Sequence, residues 1–386
     1  MTTPEGAREK NFFAPERIIL LNDGIRGHRH QALGIAQWLE RLAGASVTEV
    51  SVPPLSGLKR YRHLKWDARR LPNATPEESR AWLCRLDFPI DALAVPPRSL
   101  FISAGSSAAP FCLALAKALK GRSAVVMTPS LGTKGFDFAI VPEHDRSALA
   151  SNILTTLGAP NHIYRPALRE AGQELLKTLP PLPRRVLALL IGGGDANYRI
   201  TPAWAERTLP PLLEAAESSK TALLVTTSRR TGEEAEAAIE AILRPSPAAR
   251  FLLLASRDES NPLPALLGLA THVLCTDDSV SMVSESVTAG FRVGLLRAGR
   301  KRGVLPLFKK RLGLGTDRFD DLFASFARRN ALEDLGEAPA PSLLRAFLAA
   351  ETQRSDVPLD EARRAAEWIL ERWAIGNPAR QEATQG

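Results

Sequence analysis

The sequence predicts an α/β protein in which two Rossmann-like domains face each other across a cleft. Its 386 residues exceed the about 250 to 300 that one hydrophobic core usually serves. Short apolar runs alternate with helix-like segments, and this alternation restarts after the proline-rich stretch "KTLPPLPRR" near residue 180. We therefore expect an N-terminal domain over residues 1–175 and a C-terminal domain over residues 176–386, each built on a parallel sheet.

In the N-terminal half, buried strands are predicted from five apolar runs: "RIILLND", "VTEVSV", "SLFISA", "SAVVMTP" and "FDFAIVPEHD". Helical spacing of apolar residues predicts helices in "QALGIAQWLERLAG" and "FCLALAKALKG". Residues 56–99 are rich in arginine, proline and tryptophan, and we interpret them as a helical insertion.

In the C-terminal half, the predicted strands are "RVLALLIGGG", "TALLVTTS", "RFLLLAS", "THVLCTDDS" and "RVGLLRA". Helices are expected near residues 202–218, 231–243 and 262–270, and directly after "TDDS". An amphipathic helix near 359–375 is expected to pack at the end of the chain. Strands and helices in this alternation place ligands at the carboxyl ends of the strands.

The composition excludes several classes of protein. Cys84, Cys112 and Cys275 are too few and too widely spaced for a disulfide framework or a zinc site, and no metal ion is expected. The net charge of +8 is spread along the chain without an aromatic-rich nucleic-acid motif, which favours anionic small molecules or an anionic membrane over nucleic acid. With no signal peptide and no long apolar run, we expect a cytoplasmic protein, with peripheral contact at the inner face of the membrane left open.

Two loops of the N-terminal half carry candidate functional residues. The first, "NDGIRGHRHQALGIA", joins a strand to a helix, and its glycines would let the backbone approach an acceptor or a phosphate closely. Its candidates are Asp23, Gly24, Gly27, His28 and Gln31. His28 is a candidate general base, because neutral imidazole accepts a proton near pH 7, although a lone histidine is as often structural. The second loop, "SAGSSAAP", supplies Ser103, Gly105 and Ser106, and close packing of strand on helix explains it equally well.

Three loops of the C-terminal half suit an anionic ligand. Three consecutive glycines, Gly192, Gly193 and Gly194, follow a strand, with polar groups from Asp195 to Arg199 after them. In "TTSRRTGEE", Ser228 and Arg229 are candidates for a diphosphate, and a solvated charge explains the arginine equally well. Thr231 and Glu234 in the same loop have the spacing of a capping box. In "CTDDSVSMVSESVTAG", the candidates are Asp278, Ser279, Ser281, Ser284 and Glu285. Glu285 lies one residue too late to close a capping box on Ser281, and it is either an acceptor for ribose hydroxyls or an acid that suits the helix dipole.

Several of these motifs occur together, and in this order, in one known family. "GHRHQALGIA", "FDFAIVPEHD", "IGGG", "TTSRRT" and "NPLPALLGLATHVLCTDDSVSMVSESVTAGFRV" resemble the family of the plant mitochondrial-fission protein named for elongated mitochondria, which has many bacterial members. That family is similar in turn to the GT-B glycosyltransferases, whose two Rossmann-like domains clasp a nucleotide sugar.

Among those enzymes, the sequence resembles most the lipid-linked N-acetylglucosaminyltransferase of peptidoglycan synthesis. The first loop of that enzyme also ends in Gly-His, which implies that His28 lies near the acceptor. Its donor helix also opens with Val-Ser-Glu and reaches Ala-Gly, which implies that Glu285 holds the donor ribose. The same likeness implies that Gly192 to Gly194 lie across from the donor diphosphate.

We therefore expect a GT-B-like glycosyltransferase that takes a nucleoside-diphosphate sugar as substrate, needs no cofactor, and has an acceptor near a membrane. The resemblance assigns the acceptor to the N-terminal domain and the donor to the C-terminal domain, where Arg229 would offset charge on the leaving diphosphate. The rival hypothesis is a non-catalytic adaptor that recruits a partner protein, since a fold alone does not establish activity. An epimerase is disfavoured because a GxGxxG loop and a Tyr-x-x-x-Lys pair are missing from the sequence in the required place.

Overall fold

The computed structural model describes residues 14–54, 57, 61–145, 150–194, 198–258, 260–300, 317–350 and 359–375. The chain divides into two compact units. Unit 1 takes the residues up to Thr156, Pro160–His162 and the segment from Asp360 onward, and unit 2 takes Leu157–Ala159 and Ile163–Leu359. None of the helices described combines the length and the apolar character that a membrane span requires.

Unit 1 is a six-stranded parallel sheet in the order β2-β1-β3-β4-β5-β6. Its strands are β1 (Arg17–Asn22), β2 (Ser46–Ser51), β3 (Ser99–Ala104), β4 (Arg122–Val126), β5 (Phe138–Pro142) and β6 (Ile153–Thr156). Its α-helices are α1 (Arg26–Ala43), α2 (Pro76–Cys84), α3 (Gly105–Ala118) and α11 (Glu361–Ile375). The five strands predicted for this half are confirmed, and β6 is one that the sequence analysis missed.

The predicted helical insertion between β2 and β3 is confirmed. It contains α2 and three short segments that are not α-helical. These are the π-helix Tyr61–Trp66 and the 3₁₀-helices Asp67–Asn73 and Ile90–Ala92. Its apolar side chains, including Trp82 and Leu83, enter the core beside Phe111 of α3. The insertion is therefore part of the packed core of unit 1.

Unit 2 is a second six-stranded parallel sheet, in the order β10-β9-β7-β11-β12-β14. These strands are β7 (Arg185–Leu190), β9 (Thr221–Thr226), β10 (Ala249–Leu253), β11 (His272–Thr276), β12 (Val293–Leu296) and β14 (Leu332–Gly336). A short antiparallel pair joins β8 (Tyr198–Arg199) to β13 (Gly299–Arg300).

The helices of unit 2 follow the same alternation. They are α4 (Arg165–Leu176), α5 (Pro202–Ser218), α6 (Glu233–Leu243), α7 (Leu263–Leu269), α8 (Val280–Thr288), α9 (Asp317–Arg328) and α10 (Pro341–Ala349). The five strands predicted in this half are confirmed. The elements beyond residue 300 were not predicted, apart from α11.

The division into units differs from the predicted boundary at residue 175 in two places. Helix α4 lies before that boundary in sequence except for its last residue, yet it packs against α7 of unit 2, where glycines allow close contact. Helix α11, at the other end of the chain, belongs to unit 1, where Ala365 and Ile369 share a core with Ile35 of α1. Both assignments depend on long-range packing, which local sequence patterns do not report.

Gly268 of α7 is the point of closest approach to α4. A Cβ atom placed on Gly268 would lie 1.9 Å from the carbonyl oxygen of Leu168, and a backbone atom cannot move aside cheaply. We expect Gly268→Ala to lower the free energy of unfolding by about 1–3 kcal/mol or more, measured by urea denaturation. Gly27→Ala is the control, because its Cβ meets nothing within 4 Å and alanine favours a helix. Equal stability of both variants would contradict the close packing of α4 on α7.

Candidate functional site

Each sheet has one place where ligands of open α/β sheets bind. In unit 1, β2 and β3 lie on opposite sides of β1, so the connections diverge between β1 and β3. In unit 2, β9 and β11 lie on opposite sides of β7, and the strand order matches the dinucleotide-binding 3-2-1-4-5-6 pattern. A crevice at such a switch point lies outside the carboxyl ends of the strands. The predicted loops after β1, β3, β7 and β11 all lie at these two switch points.

At the switch point of unit 1, the loop after β1 holds His28 in a fixed orientation. The Asn22 side chain accepts a hydrogen bond from the Gly24 N–H at 2.8 Å, and Gly24 has a φ of +82° that favours glycine. Asp23 accepts from the Ile25 N–H through Oδ1, and its Oδ2 lies 2.8 Å from Nδ1 of His28. Because a carboxylate only accepts, Nδ1 carries the proton and Nε2 is left as the basic nitrogen.

The structure corrects the predicted start of α1. The sequence pattern predicts a helix start near residue 31, whereas α1 begins at Arg26. His28 and Gln31 are therefore helical residues in the first two turns of α1. Gly27 is the second residue of α1, and a Cβ atom placed on it would meet nothing within 4 Å. The helix fixes the backbone of His28, and the turn at residues 22–25 fixes that of Asp23. The two side chains therefore meet through local structure alone.

The second loop of unit 1 meets the first at His28. Gly105 begins α3 with a φ of +75°, and a Cβ at this position would lie 2.3 Å from Cε1 of the His28 ring. Ser106 accepts hydrogen bonds from the backbone N–H and the hydroxyl of Ser130. Ser103 lies one step deeper, fully buried within β3 beside the Cys112 thiol, whose pKa burial raises to about 12. Gly105 thus packs directly on the histidine, while Ser103 belongs to the core.

Gln31 adds a polar atom to the same helix. Its side-chain oxygen is buried, and among the described residues it has no hydrogen-bond partner. Such an atom costs free energy unless a donor reaches it. Gln31 follows His28 by three positions in α1, so both side chains project from the same side of the helix.

At the switch point of unit 2, the glycine loop after β7 is held by β11 and the residues after it. The Gly192 N–H donates to Oγ1 of Thr276 at 2.7 Å, and the Gly193 N–H donates to Oδ2 of Asp278 at 2.6 Å. A Cβ on Gly192 would lie 2.2 Å from the Asp278 carboxylate. The first glycine is therefore required by the carboxylate that packs on it.

The loop after β9 completes this arrangement. Oγ1 of Thr231 donates to the Gly192 carbonyl at 2.5 Å and accepts from the Ser228 N–H at 3.0 Å. A Cβ on Gly193 would lie 2.1 Å from the backbone carbon of Arg230, whose carbonyl accepts from the Gly194 N–H. The predicted capping box on Thr231 is wrong, because α6 has Gly232 at its N-cap and no side-chain cap. Thr231 instead ties the two loops together.

Asp278 is the charged group at the centre of this site. Its side chain is fully buried, and burial raises the pKa of its carboxyl from 3.8 to about 6, although Thr276, the Gly193 N–H and Arg230 oppose that rise. An Arg230 nitrogen lies 3.9 Å from Oδ2, and Oδ1 has no hydrogen-bond partner among the described residues. The Gly193 N–H therefore donates to the carboxylate of Asp278 and is not available to a bound anion.

The remaining candidates of this half lie on or beside α8. Ser279 is the N-cap residue, but its side chain makes no capping hydrogen bond. Ser281 is half-buried, whereas Ser284 and Glu285 are buried, with Glu285 only 4% exposed. The hydroxyl of Ser284 has no hydrogen-bond partner within the described ranges. Uncapped N–H groups at the start of α8 favour a negative charge.

Other residues that the sequence singled out lie elsewhere. Tyr198 is fully buried in the core beneath β7, while Arg199 is exposed on the same short strand. Asp195 and Asn197 lie outside the described residues. Arg229 is exposed after β9, and its neighbour Arg230 is the arginine that approaches Asp278. Sequence analysis missed the roles of Thr231, Thr276 and Arg230, because strand-end threonines and arginines carry no spacing signal of their own.

The chain is similar in fold to two solved structures. UGT89C1 of Arabidopsis thaliana superposes with a TM-score of 0.50 and 15% identity, covering 93% of this chain and 100% of its own. A Listeria monocytogenes protein described as a UDP-N-acetylglucosamine 2-epimerase superposes with a TM-score of 0.54 and 14% identity, covering 92% of this chain and 95% of its own. Both have the GT-B fold, which confirms the predicted fold class.

A family model described as mitochondrial fission ELM1 matches residues 26–373. No curated protein sequence matches the chain. The matched range contains the candidate residues of both switch points, except for Asp23 and Gly24, which lie three and two residues before its start.

Proposed function

The chain belongs to the mitochondrial fission ELM1 family, and from that premise we propose that it is a glycosyltransferase that uses a nucleoside-diphosphate sugar. The observation that carries the proposal is the pair of Asp23 and His28 at the switch point of unit 1, with Nδ1 and Oδ2 2.8 Å apart. A histidine oriented by a buried carboxylate is the arrangement that proton abstraction from a hydroxyl requires.

In the proposed reaction, unit 1 serves the acceptor. Nε2 of His28 takes the proton of an acceptor hydroxyl, and the oxygen forms a bond to the anomeric carbon of the donor sugar. The bond between that carbon and the diphosphate oxygen breaks, and its electron pair leaves with the diphosphate. Asp23 stabilises the imidazolium that results. Gln31, whose buried oxygen lacks a donor among the described residues, offers an acceptor for a second hydroxyl.

Unit 2 serves the donor in this proposal. The N-terminus of α8, with Ser279 and Ser281, and the glycine loop receive the diphosphate, and Arg229 and Arg230 offset its growing charge. Glu285 accepts hydrogen bonds from the ribose hydroxyls. The sugar nucleotide is a substrate, and the proposal includes no cofactor or metal ion. The proposed acceptor is a hydroxyl compound at a membrane surface.

One observation favours a second function, that of a non-catalytic adaptor. The Gly193 N–H already donates to Asp278 at 2.6 Å, so a diphosphate must displace a carboxylate to reach it. An adaptor that keeps the fold to recruit a partner protein would need no diphosphate there. The two functions differ in whether a nucleotide binds at all.

Calorimetric titration with UDP, GDP, ADP and CMP and their sugar conjugates tests the proposal. We expect saturable binding of one nucleotide, and Glu285→Gln is expected to weaken it about 10-fold or more, because a buried carboxylate acceptor is lost. Glu240→Gln, on α6 and paired with Arg244 and Arg257, is the control and should bind as the unchanged protein does. Absence of binding to every nucleotide at millimolar concentration would favour the adaptor. A donor hydrolysis assay would then check for residual catalysis.

A further inference from the structure

The insertion of unit 1 presents one face that the proposed function does not use. Along residues 61–71, Leu64, Ala68 and Leu71 are buried in the core. The opposite side carries Arg62, Trp66, Arg69 and Arg70, all exposed. We refer to these four residues as the Trp66 face.

Trp66 is the most exposed large apolar side chain among the described residues. It is 64% exposed, against 47% or less for Ile25, Leu42, Leu176 and Leu343. Tryptophan is normally well buried because exposing an indole ring to water is costly. An indole left exposed on a segment whose other apolar side chains are buried therefore points to a partner.

The charged residues around Trp66 in the sequence are mostly basic. Residues 59–70 contain six basic residues and one acidic residue, Asp67. Oδ2 of Asp67 lies 3.0 Å from Nδ1 of His63, so that carboxylate is already engaged within the segment. The arginines Arg62, Arg69 and Arg70 are left to interact with a negatively charged partner.

The segment is held firmly enough to present this face. Nζ of Lys117 donates to the carbonyls of Pro72 at 2.7 Å and Ala74 at 3.1 Å, which fixes the end of the segment to α3. Helix α2 then begins with a capping box between Thr75 and Glu78. The face is therefore a preformed surface of unit 1.

We propose that the Trp66 face binds an anionic phospholipid surface, with the indole at the level of the headgroups and the arginines on the phosphates. Tryptophan prefers the membrane interface because its ring is apolar and its N–H is polar, and arginines near an anionic bilayer add to binding. A protein partner would require a clustered apolar centre, whereas the exposed apolar group here is a single indole among arginines. The proposal adds a partner to the function proposed above and does not rest on it.

Vesicle sedimentation of the full chain without nucleotide tests this proposal. We expect binding to vesicles of phosphatidylcholine with phosphatidylglycerol and little binding to phosphatidylcholine alone. Arg69→Glu with Arg70→Glu should weaken binding by roughly fivefold or more for each arginine replaced. High salt should abolish the binding. Arg184→Glu with Arg250→Glu, two exposed arginines of unit 2, makes the same change in net charge and should have little effect. Equal loss in both double variants would overturn the assignment to this face.

Quenching by brominated lipid tests the insertion of the indole. The unchanged protein should lose tryptophan fluorescence on vesicles that contain brominated phosphatidylcholine, and Trp66→Phe should bind but lose this quenching. Bound protein that is quenched equally in both forms would overturn the role of Trp66. Binding to polyglutamate as tight as to anionic vesicles, with no change in Trp66→Ala, would assign the face to an acidic protein instead.

Discussion

His28→Ala is expected to lower the rate constant of sugar transfer, kcat, by about 10²–10⁴-fold, the range that a positioned general base contributes. Nucleotide binding should not change, because His28 belongs to unit 1 and the proposed donor residues belong to unit 2. The measurement is transfer at saturating donor, together with a calorimetric titration of the nucleotide. A fall in nucleotide affinity with unchanged kcat would contradict the role of His28 as the base.

Asp23→Asn tests the same pair through the tautomer of the histidine. The carboxylate accepts from Nδ1–H and leaves Nε2 basic, whereas an amide can instead donate to Nδ1 and place the proton on Nε2. We expect a loss of kcat of about 10²-fold or more, with a changed pH profile, because the imidazolium also loses its counter-charge. A loss of activity without a change in the pH profile would indicate a purely structural role for Asp23.

His63→Ala is the matched control for both variants. His63 forms a second pair of the same kind, with Nδ1 3.0 Å from Oδ2 of Asp67, in the insertion of the same unit. With a soluble acceptor, its loss should leave kcat unchanged. If His63→Ala lowered kcat as much as His28→Ala, the effect would come from the stability of unit 1.

The fold could be predicted from sequence wherever one strand or helix carries its own pattern. Runs such as "RVLALL" and "TALLVT" are buried on both faces of their sheets, and continuous apolar sequence is typical of such strands. The predicted limits of α5 at residues 202–218 match its structure, since Thr201 caps it and Pro202 opens it. These features depend only on neighbours in sequence.

The candidate site could be predicted only in part, because its loops are assembled by the sheets. In the sequence, His28 and Gly105 belong to two separate loops. They come into contact because β1 and β3, the strands before these loops, are neighbours in the sheet. The hydrogen bond from Gly193 to Asp278 spans 85 residues, and local spacing carries no trace of it. The sequence pattern marks Asp278 as a candidate beside an anionic ligand, and that pattern does not contain the hydrogen bond from Gly193.

Asp278→Asn is expected to stabilise unit 2 at neutral pH by up to about 3 kcal/mol. The pKa of this carboxyl rises from 3.8 to about 6 in the folded protein, mainly through burial, and a rise of that size corresponds to about 3 kcal/mol. Because the folded state binds this proton more tightly, the contribution of Asp278 to stability is greatest below about pH 4 and is lost as the pH rises through about 6. Asparagine has no such titration, and its oxygen still accepts from the Gly193 N–H.

Urea denaturation of both proteins between pH 4 and pH 8 measures this difference, which should grow from near zero to its full value across that range. A variant that is less stable at every pH would show that Arg230 and the Gly193 N–H more than offset the cost of burying the charge. Glu240→Gln is the matched control: its carboxylate pairs with Arg244 and Arg257, so removing that charge should not stabilise the protein at neutral pH.

The same substitution separates the two proposed functions. If the glycine loop receives a diphosphate, removing the negative charge of Asp278 removes a repulsion, so Asp278→Asn should bind the nucleotide more tightly, by about 10-fold or more at pH 8. The unchanged protein should approach that affinity as the pH falls below about 6, where its own carboxyl takes up a proton. Weaker binding in Asp278→Asn at every pH would instead mean that this carboxylate accepts a hydrogen bond from the ligand. In that case the diphosphate would have to lie at the N-terminus of α8, away from Gly193.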